Sequence, residues 1–274
     1  MARIDNDSYC LFGCPDSGLP LGKQTDISFT STRTLITLEA GSTTFVLDFF
    51  SPISLTDYVR QSLPYSYLGV EVQGAPVGST INIMTAIDDT WTSQQPHTQA
   101  EFSKTGGGSS FFTLSGLDSY TWAENDDMAA WGKVVLAANN NAGGHISYQA
   151  GSSADIVSQF NSYGTLSKKY GKYESGNLVA LAYRLAIPRK SSCVAKAIFA
   201  IGLEQDNAFN YLGKPQTAYY QATISGTANV VDHVFADQRA AAADGKELDQ
   251  NIVQIGNEIS TNYSDVLEAS MRQL

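Results

Sequence analysis

Hydrophobic and polar positions change their spacing once along this chain. From Thr25 to about Leu203, apolar residues fall in short runs rich in β-branched and aromatic types, closed by Gly, Pro or Asp. "DISFTSTRTLITLEAG" sets Ile27 and Phe29, then Leu35 and Leu38, among Thr and Ser. "STTFVLDFFSP", "YSYLGVEVQG" and "STINIMTAID" follow. Runs of this kind with turn residues between them predict strands. Residues 92–118 interrupt the pattern without adopting a helical one, and Gly106-Gly107-Gly108 marks a hinge or hairpin tip. Strand signals return in "GKVVLAANN", "GGHISYQAG", "NLVALAYRLA" and "CVAKAIFAIGLE". The stretch from Gln159 to Gly176 reads as a surface loop, and no internal repeat is visible.

After Leu203 the period becomes helical. Val230, Val231, Val234 and Phe235 share one face, and Ala240 to Ala243 extend the run with the best helix former. Gly245 is placed to end that helix as a C-cap. A second helix carries Ile252, Ile255 and Ile259. A third, capped by Ser260 or Asn262, carries Tyr263, Val266, Leu267, Met271 and Leu274. The expected architecture is mainly β: a large antiparallel β-sandwich over residues 1–222, then a short α-helical segment over 223–274. The last helix has an apolar stripe that must pack on something. Its cover is either the β domain or helices encoded downstream.

Composition narrows the class. Charged residues are only 16% of the chain, against a typical quarter, while hydrophobic residues reach 43%. That balance fits a folded, β-rich extracellular protein and excludes a disordered one. The formal net charge is −10, so nucleic acid and anionic membrane surfaces are repelled and neither is expected as a partner. Lys168 and Lys169 with Lys172 read as a solvated turn. No apolar run approaches the roughly 18 residues that span a bilayer, and "MARIDNDSYC" lacks the apolar core of a signal peptide.

Three cysteines cannot all pair within the chain. Cys10 and Cys14 can bridge if the residues between them turn tightly, and Cys193 reads as a buried, reduced thiol. No CxxC or HxxxH spacing offers a zinc site, and no cofactor is expected. Asn6-Asp7-Ser8 and Asn262-Tyr263-Ser264 are possible N-glycosylation sites, at Asn6 and Asn262, if the chain is secreted.

Catalytic residues are not nominated by any motif. Asp88-Asp89 could do general acid–base work, but neighbours on a strand point to opposite faces, so a strand-terminal turn is the better reading. Asp126-Asp127 reads as a helix N-terminus, where acidic side chains suit the dipole. Trp91, Trp122 and Trp131 could form a sugar-stacking platform or simply pack in the core. "TGGGSS" has its Lys104 before the glycines rather than after them, which excludes a phosphate-binding loop and leaves a flexible one. There is no G-x-S-x-G elbow, and His97, His145 and His233 are far apart in sequence.

Three stretches carry a family likeness. "ARIDNDSYCLFG", residues 31 to 73, and "LDQNIVQIGNEISTNYSDVLEASMRQL" resemble the N-terminal region of the fungal glutaminase A family. The most specific part runs from Asp57 to Leu68 as "DYVRQSLPYSYL". Near the C-terminus, Tyr263, Asp265, Ser270, Arg272 and Gln273 match the family's YxDLxxxSxRQ pattern. "DDTWTSQQ" departs from the family's DISGEW-like stretch, so no site role is carried over there. Family members are secreted and longer, with a six-hairpin α/α toroid after the β region. The resemblance therefore implies the supporting N-terminal domain of an extracellular hydrolase converting L-glutamine to L-glutamate and ammonia. It implies a chain inactive alone, partnered by the downstream helical domain of the full-length protein. The alternative is an accessory or glycan-binding domain of a carbohydrate-active enzyme with the same two-part architecture, so the substrate is a small molecule or a glycan. A free-standing structural or adhesion module is the third possibility.

Overall fold

Turn residues cut most of the chain into strands that pair with near neighbours. The computed structural model describes all residues except 15–17, 93–96, 118–120, 126, 140–144, 171–172, 175, 188–194 and 273–274. It opens with the hairpin β1 (Ala2–Ile4) and β2 (Asp7–Tyr9), then the meander β3 (Lys23–Phe29), β4 (Arg33–Ala40) and β5 (Thr43–Phe50). A short helix α1 (Tyr58–Ser62) precedes β6 (Tyr65–Gln73) and β7 (Thr80–Asp88). The hairpin β8 (Thr98–Lys104) and β9 (Ser109–Gly116) follows, with a small ribbon of β10 (Glu124–Asn125) and β11 (Met128–Ala129). Next are β12 (Lys133–Asn139), β13 (His145–Gly151), α2 (Ser153–Tyr163), β14 (Leu178–Ala186) and β15 (Ala195–Glu204). A second ribbon, β16 (Phe209–Tyr211) and β17 (Lys214–Gln216), leads to α3 (Thr227–Asn257) and α4 (Thr261–Met271).

Two antiparallel sheets make the sandwich. One has eight strands in the order β3-β4-β5-β6-β15-β12-β9-β8, the other five in the order β13-β14-β7-β1-β2. Their facing side chains form the main core, with Phe45, Phe112, Leu136, Ile81, Ile83, Leu181 and Phe199 all fully buried. The outer faces are covered as well. The first half of α3 lays Val230, Val231, Val234 and Ala241 on Phe50, Tyr67, Val135 and Ala137 of the larger sheet. Helix α2 lays Ile156 and Phe160 on Met84, Ala180 and Ala182 of the smaller one. Covering both faces explains why "KVVLAAN" and "LVALAY" are continuously apolar instead of alternating. In β12, Val134 and Leu136 face the sandwich core while Val135 and Ala137 face α3.

The mainly β sandwich with helices at the C-terminal end is as expected, but several elements differ. The 92–118 region holds the β8–β9 hairpin, with the three glycines at its tip. The predicted surface loop from Gln159 begins inside α2, whose apolar face is short enough to be missed between strands. Gly245 does not cap a helix. Helix α3 runs through it without a break, because at Gly245 the helix closes on the ring of Phe50; a Cβ there would sit 2.9 Å from Phe50 Cε2. Asp127 lies in the turn of the β10–β11 ribbon with φ of 62°, not at a helix N-terminus, and Asp126 lies outside the described residues. Cys10 and Cys14 are disulfide-bonded, with Cα atoms 5.8 Å apart. Cys193, Lys172, Gln273 and Leu274 lie outside the described residues.

Candidate functional site

The segment Asp57–Leu68 builds a polar joint between the larger sheet and α3. Asp57 caps α1 by accepting from the Arg60 amide at 3.0 Å. That orients Arg60 towards α3, where Asp237 and Asp244 lie seven residues apart, two turns along one helix face. Arg60 Nε and Nη2 donate to the two oxygens of Asp237 at 2.6 and 2.7 Å, a fork-to-fork pair, and Nη1 donates to Asp244. The Asp237 hydrogen bond dominates the charge environment of Arg60 and raises its pKa further above an already basic value. Tyr65 donates to Glu204 Oε1 and Thr227 to Glu204 Oε2, each at 2.7 Å, with Lys133 at 3.4 Å. Tyr67 donates to the Val234 carbonyl at 2.7 Å, and Ser62 accepts from the Tyr220 amide. Burial lifts Tyr65 well above its ordinary range, with Glu204 adding to the shift. Every acid in this joint faces a donor or a cation, and together these contacts fix α3 on the larger sheet.

A second feature sits where α3 and α4 meet the β3–β4 turn. An open, mainly apolar cleft of about 500 Å³ lies between Ala242 and Val253 of α3, Glu268 of α4 and Arg33. Its base is held by buried Asp249, which accepts from Thr30 Oγ1 at 2.6 Å, Thr32 Oγ1 at 2.8 Å and the Thr32 amide at 3.1 Å. Arg272, past the end of α4, donates to the carbonyls of Thr30 and Arg33 and to Thr34 Oγ1. Arg33 is committed to Asp48 at 2.6 Å and stacks on Phe50. Partial burial raises the pKa of Glu268, with Asp249 and Asp265 adding to the shift. Beside the cleft, Ile255, Ile259 and Val266 are 60, 67 and 59% exposed, and Tyr263 is 41% exposed. Among the described residues no group of three or more His, Cys, Asp or Glu is placed to hold a metal ion.

Residues 32–254, which carry both features apart from α4, match a family model described as "Domain of unknown function (DUF5127)". The chain belongs to that family. Over 99% of its length this DUF5127 chain is 28% identical to glutaminase A from Aspergillus oryzae, of which it spans 41%. It is 27% identical to a probable glutaminase from Arthroderma benhamiae over 57% of the chain and 19% of that protein. The chain thus spans about two fifths or less of the relatives it matches. Among solved structures, heparan sulfate lyase HepC from Pedobacter heparinus matches at a TM-score of 0.35 and 9% identity, over 68% of this chain and 22% of that one. A likeness at that level decides nothing about fold or function.

Set on the DUF5127 fold, the sequence candidates scatter. Asp88 ends β7 and accepts from the Thr90 amide at 3.1 Å. Asp89 is buried and accepts from the Gly176 amide at 3.1 Å and Thr98 Oγ1 at 3.3 Å. Both stabilise a strand-terminal turn, as expected. Trp122 and Trp131 make an edge-to-face pair, with Trp131 Nε1 donating to Asn207, while Trp91 is exposed on another turn. The glycine hairpin is anchored, not flexible: the Gly107 amide, Thr105 Oγ1 and Ser109 Oγ all donate to Asp232 of α3. Lys168 and Lys169 are exposed, but in place of a free turn their backbone lies along β13, with Lys168 donating to the Tyr148 carbonyl and Lys169 bridged in parallel to Gln149. Asn6 lies exposed in the β1–β2 turn, and Asn262 lies exposed in the first turn of α4, where Ser264 is buried against Gly256. Arg60 stands in the family-like stretch "DYVRQSLPYSYL", which by itself assigns it no role. Its partners were legible as two aspartates at helical spacing on an otherwise apolar face.

Proposed function

We propose that this chain is the β-sandwich region of a glutaminase A-like secreted hydrolase. Its task is to carry and orient a downstream helical domain that supplies the catalytic groups for converting L-glutamine to L-glutamate and ammonia. The observation that carries this reading is the α3–α4 hairpin. Its first half is clamped to the sheet by Arg60, and its far half holds Ile255, Ile259 and Val266 in solvent beside an apolar cleft. Single exposed apolar residues are ordinary, whereas several along one helix hairpin suit the docking of a further element. The relatives' names support glutaminase chemistry in the full-length protein. The Cys10–Cys14 bond suits an oxidising, extracellular setting. On this reading residues 223–274 open the helical domain.

Ammonia release from L-glutamine tests the proposal. The 274-residue chain is expected to show none above background, and a chain extended through the helical domain is expected to turn over. Robust turnover by the 274-residue chain overturns the division of labour.

A further inference from the structure

The outer face of the five-stranded sheet changes character where α2 ends. Under the helix it is apolar: Met84 of β7 and Ala180 and Ala182 of β14. Helix α2 stops at Gly164, which takes the left-handed C-cap conformation at φ 67°. Beyond that point the same face turns polar. Asn82 pairs in register with Arg3 on one neighbouring strand and with Arg184 on the other, so the three side chains stand in a row across β1, β7 and β14. They line a pocket of about 320 Å³ with Thr80, Asp5 and Tyr163, within the size range of small-ligand sites.

The three members of the row differ in commitment. Arg3 is held by the carbonyls that end α2, donating to Asn161 at 3.0 Å and Ser162 at 3.4 Å, and by Asn6 Oδ1 at 3.2 Å. Arg184 is exposed and makes no ion pair or hydrogen bond among the described residues. Asn82 is 2% exposed, and its Oδ1 has no partner. A buried amide oxygen without a donor is uncommon in folded proteins. Asp5 is the carboxylate on the wall, and its Oδ1 already accepts from the Thr80 amide at 2.8 Å. In a chain of net charge −10, a pocket with two guanidinium groups and one acid stands apart.

We propose that this pocket binds a small organic carboxylate that also bears hydroxyl or ammonium groups. The carboxylate would take the free Arg184 fork, whose planar donors match two carboxylate oxygens. A hydroxyl or ammonium donor would lie towards the Asp5 carboxylate on the wall. Amino acids and sugar acids share this chemistry. The pocket lies on the smaller sheet, opposite the larger sheet that carries α3.

The test is a titration of the ¹⁵N-labelled chain with L-glutamate, D-glucuronate, acetate and sulfate, following the Arg184 Nε–H and Asn82 side-chain amide resonances. Saturable shifts at both residues with L-glutamate or D-glucuronate are expected, and which of the two binds identifies the source. Acetate, lacking the second donor, should bind at least about tenfold more weakly, a difference of roughly 1.4 kcal/mol. Arg184→Gln should weaken the binding ligand at least about tenfold and leave the thermal unfolding midpoint unchanged, since Arg184 is exposed and unpaired. Asn82→Ser is the second variant, read at the Arg184 Nε–H alone, and should also weaken the binding ligand. The proposal is overturned if neither functionalised carboxylate moves these resonances, if Arg184→Gln binds as well as the parent, or if sulfate competes equally.

Discussion

Arg60 fixes where α3 lies, because all three of its guanidinium nitrogens are spent on that helix. The side chain is almost wholly buried, so removing it strands Asp237 without a counter-charge in a desolvated joint. Breaking a buried pair from one side costs several kcal/mol, whereas replacing both partners by apolar groups can cost little. Arg60→Ala should therefore lower the unfolding free energy by about 3 kcal/mol in urea titration. Arg60→Lys should recover part of the loss, because an ammonium keeps the charge but not the fork. A change within the ±0.5 kcal/mol or so of a surface substitution would show that the clamp is not under load. Asp232 acts in the same way on a smaller scale. It gathers three donors from the β8–β9 tip, and Asp232→Ala should cost about 1–2 kcal/mol while raising amide exchange at residues 105–109.

At the scale of elements, two glycines set how closely the helices approach. Gly in a helix is normally a liability of about 1 kcal/mol relative to Ala. At Gly256 a Cβ would lie 2.5 Å from Ser264 Cα, a backbone atom that cannot turn aside, so α4 would have to lift off α3. Gly256→Ala is therefore expected to destabilise by about 1–3 kcal/mol instead of stabilising. The loss should show first as faster hydrogen exchange in Thr261–Met271. A gain in stability would mean that the two helices are not packed at this crossing. These contacts also explain which elements were readable. Val230, Val231 and Val234 announce a helix through their spacing, and Tyr263, Val266, Leu267 and Met271 announce the next, whose cap, left open between Ser260 and Asn262, is Ser260. Gly245 reads as a stop because sequence shows its missing side chain but not the Phe50 ring that requires it. Helix α2 hides between two strands because only Ile156 and Phe160 mark its buried face. The Arg3–Asn82–Arg184 row was not legible at all: the three residues are far apart in sequence, and only strand register brings them together.

Across the whole molecule, four layers stack in the order α2, small sheet, large sheet, α3, and the tyrosines between them set the alkaline limit of the fold. Burial pushes the Tyr220 phenol up to about 12, carries Tyr67, Tyr173 and Tyr183 higher still, and raises Tyr65 well above its ordinary value. An acid whose folded pKa is raised contributes stability that is fully present below its unfolded value and lost as pH climbs through the folded one. The denaturant midpoint should thus hold up to about pH 10 and fall above it, with these phenols ionising only as the protein unfolds. A midpoint unchanged to about pH 12 would contradict that. The other whole-molecule property is the uncovered end of the α3–α4 hairpin. Ile255, Ile259 and Val266 gain little from their present surroundings, since each is more than half in solvent. Ile255→Asp with Ile259→Asp should leave the unfolding free energy within about 0.5 kcal/mol of the parent, because neither side chain is holding the fold together. On the proposed function, the same pair of changes should abolish capture of the proposed helical domain expressed separately, because burying two carboxylates in that contact is strongly unfavourable. Sedimentation of the mixed pieces reads the outcome. Equal complex formation by parent and double variant would show that the apolar end of the hairpin is not the seat of that domain.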